Sequence, residues 1–191
     1  MNIAVYCSSS DQLSSEYYHQ AEQLGRWIAE NNHTLVYGGS RLGLMESVAR
    51  GVKMTGGHII GVLPYIIKER NLVSQYIDET IFCEDLTERK KIMMEKSEIF
   101  IVMPGSIGTL DEAFSVMAQH IIGINTKMVI FWNINGFWNE LFKFFDSLKN
   151  TGVIYKPIHT LYYKADSIDE IEKIIKGCSI NYILGDFEIF L

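Results

Sequence analysis

A doubly wound α/β fold, with a parallel sheet between two layers of helices (three-layer αβα), is the fold class the sequence predicts. Three observations carry it. Short apolar β-type runs alternate with longer segments of helical periodicity along most of the 191 residues. The run Ile99–Met103 (IFIVM) is apolar throughout, as a strand covered on both faces must be. The length suits one domain, residues 1–191, and no linker, internal repeat or low-complexity stretch divides it.

The elements follow in order. Ile3–Cys7 reads as a strand and Ser14–Asn31 as a helix with Leu24, Trp27 and Ile28 on one face. Thr34–Tyr37 is a strand that runs into Gly38-Gly39. Leu42–Met54 is a helix with Leu44, Met45, Val48 and Val52 at helical spacing, stopped by Gly56-Gly57. His58–Leu63 is a strand ended by Pro64. Tyr65–Ile81 has no regular pattern, and Phe82 closes a short strand at most. Asp85 or Thr87 caps a helix that reaches about Ser97. After Ile99–Met103 come a glycine-containing loop and a helix from Thr109 to about Ile122. Lys127–Phe131 is a strand, Phe137–Lys149 an aromatic-rich helix, Thr160–Tyr163 a last strand and Ser167–Lys176 a last helix. The tail Ser179–Leu191 is too apolar for a disordered end and is expected to pack on its own domain or on a partner chain.

Composition excludes several functions. Apolar residues make up 48% and charged ones 21%, as in soluble globular proteins. The net charge of −6 argues against a broad nucleic-acid surface, which needs clustered Lys and Arg. No apolar run approaches the roughly 20 residues of a membrane span, and the start MNIAVYCSSS lacks the basic region of a signal peptide. Cys7, Cys83 and Cys178 are odd in number and far apart, so they read as reduced thiols of a cytoplasmic protein. Neither they nor His19, His33, His58, His120 and His159 have a metal-binding spacing, so no metal is expected. Cys7 itself reads as a small buried residue or as a thiol near a ligand.

Ligands of an open parallel sheet bind outside the carboxyl ends of the strands. Ser8-Ser9-Ser10, Gly38-Gly39-Ser40-Arg41, Pro64 and Pro104–Thr109 all follow predicted strands and so share one rim. Arg89 joins them, because a helix that feeds a parallel strand begins on that edge. Pro104–Glu112 (PGSIGTLDE) is the most informative segment. Gly105 and Gly108 permit close backbone approach. The helix N-terminus offers free N–H groups and a favourable dipole to an anion, and Ser106 and Thr109 add hydroxyls. The spacing fits neither a Walker A loop nor GxGxxG. Taken alone, the segment also reads as a tight turn capped by Thr109, Glu112 as a charge favourable to the helix dipole, and Arg89-Lys90-Lys91 as a solvated basic cluster.

Taken together, Val36-Tyr37-Gly38-Gly39, Gly43-Leu44-Met45, Glu88-Arg89-Lys90 and Pro104-Gly105 with Gly108-Thr109 and Glu112 resemble the LOG ("lonely guy") family in order and spacing. The likeness runs over roughly residues 2 to 155 and includes Cys7-Ser8-Ser9, Gly123 and Lys127. That family comprises cytokinin riboside 5′-monophosphate phosphoribohydrolases long mislabelled as lysine decarboxylases. The resemblance implies a Rossmann-like fold and a homodimeric hydrolase that needs no metal or other cofactor. Such an enzyme would cleave the N-glycosidic bond of an AMP-like purine or cytokinin nucleoside 5′-monophosphate. Carried over by position, Arg89 and Glu112 would be catalytic. Ser8, Gly38, Gly39, Lys90, Gly105, Ser106, Gly108 and Thr109 would bind the substrate and its phosphate.

The chain departs from the family pattern at four positions. Ser106 stands for the second glycine of PGG, Ser40 for the third glycine after the second strand, and Glu46 for the glycine after Leu-Met. Asn71 stands where an acidic, base-contacting residue is usual. Ser106 is therefore expected to hold the loop's backbone angle at some strain, and Asn71 puts base identity in question. The glycine losses also motivate an alternative, a non-catalytic nucleotide or cofactor binder of the molybdenum-cofactor-carrier kind. Lysine decarboxylation has no support, since no residue pattern implicates a pyridoxal phosphate site. The wide apolar face from Phe137 to Leu148 invites a subunit contact. His120, two turns past Glu112, reads as a core or surface histidine or as part of such a contact.

Overall fold

The computed structural model describes residues 1–153 and 160–184, with side chains through residue 177. Among the described residues seven parallel strands form one sheet: β1 (Asn2–Tyr6), β2 (Thr34–Tyr37), β3 (His58–Pro64), β4 (Glu79–Cys83), β5 (Ile99–Val102), β6 (Met128–Trp132) and β7 (Tyr163–Ala165). Their order is β4-β3-β2-β1-β5-β6-β7. The chain walks outward from β1 to β4, then returns to the other side of β1 with β5. The order therefore reverses between β1 and β5, and the crevice above that switch point is where such sheets bind ligands.

Strand alternation builds two cores, one per face. Ile3, Val5, Leu35, Tyr37, Ile99, Ile101, Ile130 and Trp132 pack on one side with α1 (Ser15–Glu30), α2 (Gly43–Met54) and α7 (Ile168–Leu184). Ala4, Tyr6, Val36, Phe100, Val102, Val129 and Phe131 pack on the other with α4 (Leu86–Lys96), α5 (Ile107–Ile121) and α6 (Asn139–Asn150). The α1–α2 pair is a close crossing. A Cβ added at Gly25 would lie 2.1 Å from the Val48 carbonyl oxygen, and one at Gly51 would lie 2.1 Å from that of Glu22.

Several boundaries differ from expectation. The segment Tyr65–Ile81 is not wholly irregular: it holds the short helix α3 (Tyr65–Glu69) and the start of β4. β4 is a half-exposed edge strand, so it lacks the apolar run that marks the central ones. Residues Leu72–Ser74 fold back on the loop after β2. There the Arg41 N–H donates to the Leu72 carbonyl (2.8 Å), and the Ser74 N–H to that of Gly39 (2.9 Å). α5 begins at Ile107, two residues early, because Ser106 takes the cap position. The last strand lies at Tyr163–Ala165 rather than at Thr160–Tyr163, and α7 continues beyond Lys176 to Leu184. The packing expected of the tail Ser179–Leu191 concerns side chains outside the described ones, as does Cys178, and His159 lies outside the described residues. Phe145 and Trp138 are buried while Phe137 and Phe144 are exposed, so core packing accounts for only part of the aromatic face from Phe137 to Leu148.

Candidate active site

Two loops flank the switch point. The one after β1 is tied to the one after β5, where the Ser8 N–H donates to the Pro104 carbonyl (3.1 Å). It also rests on the start of α2: the Leu44 N–H donates to the Ser8 carbonyl (2.9 Å), and the Gly43 N–H to Asp11 Oδ1 (2.8 Å). Gly43 has φ +59°, and any Cβ there would come within 2.6–2.8 Å of the Ser8–Ser10 backbone, so only glycine fits.

α4 starts on the same rim because its N-cap is Asp85, whose Oδ1 accepts the Thr87 and Glu88 N–H groups, both at 2.8 Å. That cap puts Arg89 in the first turn. Its side chain crosses the end of the sheet. Nε donates to the Val62 carbonyl (3.0 Å), and Nη1 lies 3.3 Å from Glu112 Oε1. Both side chains are largely buried, at 16% and 11% exposure. Burial pushes the Glu112 carboxyl above its ordinary pKa; the charge of Arg89 opposes this, as that of Lys90 does, and Asp111 reinforces it. The result is a carboxyl held out of water beside a fixed cation, at the floor of a cleft of about 120 Å³.

Ser8, Gly38, Arg89, Ser106, Gly108, Thr109 and Glu112, drawn from four separate stretches of sequence, line that one cleft. Val5, Cys7, Ser9 and Met45 line it too. Met45, expected only on the apolar face of its helix, is the third residue of α2. The Cys7 thiol is pushed up by burial and stays protonated at neutral pH.

Three expected binding residues, Lys90, Gly105 and Gly39, are not among those that line the cleft. Lys90 Nζ pairs with Asp111 Oδ1 at 2.7 Å, a second α4–α5 bridge beside the Arg89–Glu112 pair. A Cβ on Gly105 would meet Thr109 Oγ1 at 2.1 Å, so this glycine lets the threonine close on the loop. Gly39 has φ +70° and packs against Leu63.

The strain expected at Ser106 is not present. Its φ of −107° and ψ of −152° are extended backbone, open to any residue. No side-chain hydrogen bond caps α5. The N–H groups of Ile107, Gly108 and Thr109 precede the first intrahelical bond, from Leu110 N–H to the Ser106 carbonyl (3.0 Å), so no bond of the helix uses them. Ser40 is buried in an antiparallel bridge with Val73. Asn71 is exposed at φ +53°, just past the end of α3, away from the cleft lining. Glu46 lines a neighbouring groove with Arg41 and Arg50. Among the described residues no group of three or more His, Cys, Asp or Glu could hold a metal ion, and no helix is long and apolar enough to cross a membrane.

Comparison with known proteins gives a consistent picture. The family described as "Possible lysine decarboxylase" matches residues 45–175. Cytokinin riboside 5′-monophosphate phosphoribohydrolase LOG3 of Arabidopsis thaliana is 34% identical over 171 residues, 90% of this chain and 80% of the relative. The probable cytokinin riboside 5′-monophosphate phosphoribohydrolase LOGL2 of Oryza sativa subsp. japonica is 36% identical over 173 residues, 90% of this chain and 71% of the relative. Among solved structures, the molybdenum cofactor binding protein of Rippkaea orientalis superposes with a TM-score of 0.70 at 27% identity, covering 93% of this chain and 96% of its own. The Moco carrier protein of Chlamydomonas reinhardtii gives 0.69 at 25% identity, covering 92% and 95%.

Proposed function

The chain belongs to the LOG family of cytokinin riboside 5′-monophosphate phosphoribohydrolases, and from that premise we propose that it hydrolyses the N-glycosidic bond of a purine or cytokinin nucleoside 5′-monophosphate, releasing free base and ribose 5-phosphate. The observation that carries this reading is the buried Arg89–Glu112 pair beside the open N-terminus of α5. The 5′-phosphate lies on the Ile107–Thr109 N–H groups with the Ser106 and Thr109 hydroxyls and Ser8 around it. A water attacks the anomeric carbon as the bond to the base breaks, and positive charge builds on the ribose. Glu112 in its ionised form stabilises that charge and takes the proton of the water. The proton balance closes on the departing base. Arg89 orients Glu112 and contacts the substrate.

The cleft of about 120 Å³ is well below the ~300 Å³ at the small end of ligand pockets. It suits the sugar phosphate, and the base extends past it. Exposed Ile107, Phe114, Ile122 and Ile124 lie on α5 and just after it, which supports a homodimer. A cytoplasmic location and an AMP nucleosidase activity complete the reading.

Incubating the purified protein with AMP and with isopentenyladenosine monophosphate should yield free base. Release that survives Glu112→Ala removes the catalytic assignment. Light scattering should report a dimer, and a monomer removes that part alone. The likeness to molybdenum cofactor binding proteins favours one other reading, a carrier. Tight nucleotide or cofactor binding with no base release would select it.

A further inference from the structure

We infer that Gly38 is a positioning residue: the space left by its missing side chain is the slot in which the Arg89 guanidinium lies on its way to Glu112. The residues of this slot come together through strand register. β2 pairs with β3 so that Tyr37 stands opposite Gly61. Gly38 and Val62, one residue further along each strand, are therefore neighbours at the rim. Val62 supplies the carbonyl that anchors Arg89 Nε at 3.0 Å. Gly38 supplies the floor beneath the rest of the guanidinium: a Cβ built there would lie 1.9 Å from Arg89 Nη2 and 3.1 Å from Cζ, with Met45 Sδ at 3.0 Å. Nη1, the other arm, reaches Glu112 Oε1 at 3.3 Å. The arginine is thus fixed by an anchor, a slot and a carboxylate.

What a methyl group would do at Gly38 differs from its effect elsewhere. At Gly25 the obstructing atom is a backbone carbonyl, and at Gly39 it is the Leu63 side chain against a positive φ. Gly38 is not among the positive-φ residues, so alanine fits its backbone. The first atom met is the tip of a flexible side chain. The guanidinium must then retreat by about 1.5 Å to regain van der Waals distance, which breaks its alignment with Glu112 while the fold remains. This assigns Gly38 to the geometry of the arginine rather than to the phosphate.

The inference rests on the hydrolase reading for its kinetic arm only. In that arm, Gly38→Ala should lower kcat by ~100-fold, the scale of a displacement on the order of 1 Å, with little change in Tm. The acid limb of its pH–rate profile should move to higher pH, because Glu112 loses the opposing charge of Arg89. In an Arg89→Ala background the same substitution should cost nothing further in rate or Tm. The second arm needs no activity. The Arg89 Nε–H resonance of the wild-type protein, protected by the Val62 carbonyl, should shift and exchange faster in Gly38→Ala. A wild-type protein that releases no base overturns the hydrolase reading, and the resonance then decides the slot. An unchanged resonance, an unmoved acid limb, an equal loss in the Arg89→Ala background, or a Gly38→Ala protein that fails to fold overturns the slot.

Discussion

The α1–α2 crossing and the rim cleft both depend on glycines, and they depend on them for opposite reasons. At the crossing, Gly25 and Gly51 each face a backbone carbonyl of the other helix, 2.1 Å from where a Cβ would stand. Nothing there can yield without moving a helix, so the consequence of a side chain is felt in stability. At the rim, Gly38 and Gly105 face the tips of Arg89 and Thr109. Those tips can move, so the consequence is felt in what they do. A glycine's role is set by whether backbone or side chain occupies the space beside it.

Four measurements would break or sharpen this contrast. The largest effect is expected at the rim. Glu112→Gln should lower base release by ~10²–10⁴-fold, the usual contribution of a positioned general base, while the circular dichroism spectrum stays native. Retention of more than a tenth of the activity would remove Glu112 from the chemistry. Next comes the crossing. Gly51→Ala should lower stability by ~1–3 kcal/mol, as overpacking does, read from denaturant midpoints, and leave kcat per folded molecule unchanged. A selective loss of kcat would couple the crossing to the cleft and blur the distinction.

A smaller effect tests the element that joins the two kinds of behaviour. Asp85 caps α4 with two hydrogen bonds, and Asp85→Ala should cost about 1 kcal/mol. Because the cap holds the first turn that carries Arg89, kcat should fall modestly along with Tm; a pure Tm effect would mean that the Val62 anchor suffices. The subtlest effect lies in pH dependence. Burial raises the Glu112 carboxyl above its ordinary value of 4.5, so the native state binds the proton more tightly than the unfolded chain does. Its contribution to stability is complete below the unfolded value and is lost as pH rises through the native one. The Tm of the wild type minus that of Glu112→Gln should therefore fall with rising pH across that window, and a rise would contradict the raised carboxyl.

The rim was legible because its logic is local. Each strand-like run is followed by small, hydroxylated or glycine residues, and parallel strands must end on one edge. Arg89 was legible as a first-turn residue of a helix opening there; Glu112, expected in the first turn of the next helix, lies in its second because α5 starts at Ile107. The neighbours Cys7, Ser9 and Met45 carried only weak signals, since a cysteine or methionine beside a loop is commonly core. β4 was only partly legible, as a short strand closed by Phe82, because an edge strand is half-exposed.

By itself the sequence determined the alternation of elements, the apolar strands of the sheet centre, the rim, and the pair of charged residues on it. These follow from periodicity and capping, which act over a few residues. Only the tertiary structure decided that Lys90 pairs with Asp111, that Ser106 carries no strain as the α5 cap, and that Gly38 lies against the Arg89 guanidinium. Those outcomes depend on distances between residues far apart in the chain, and these are set by strand register and helix packing to within an ångström.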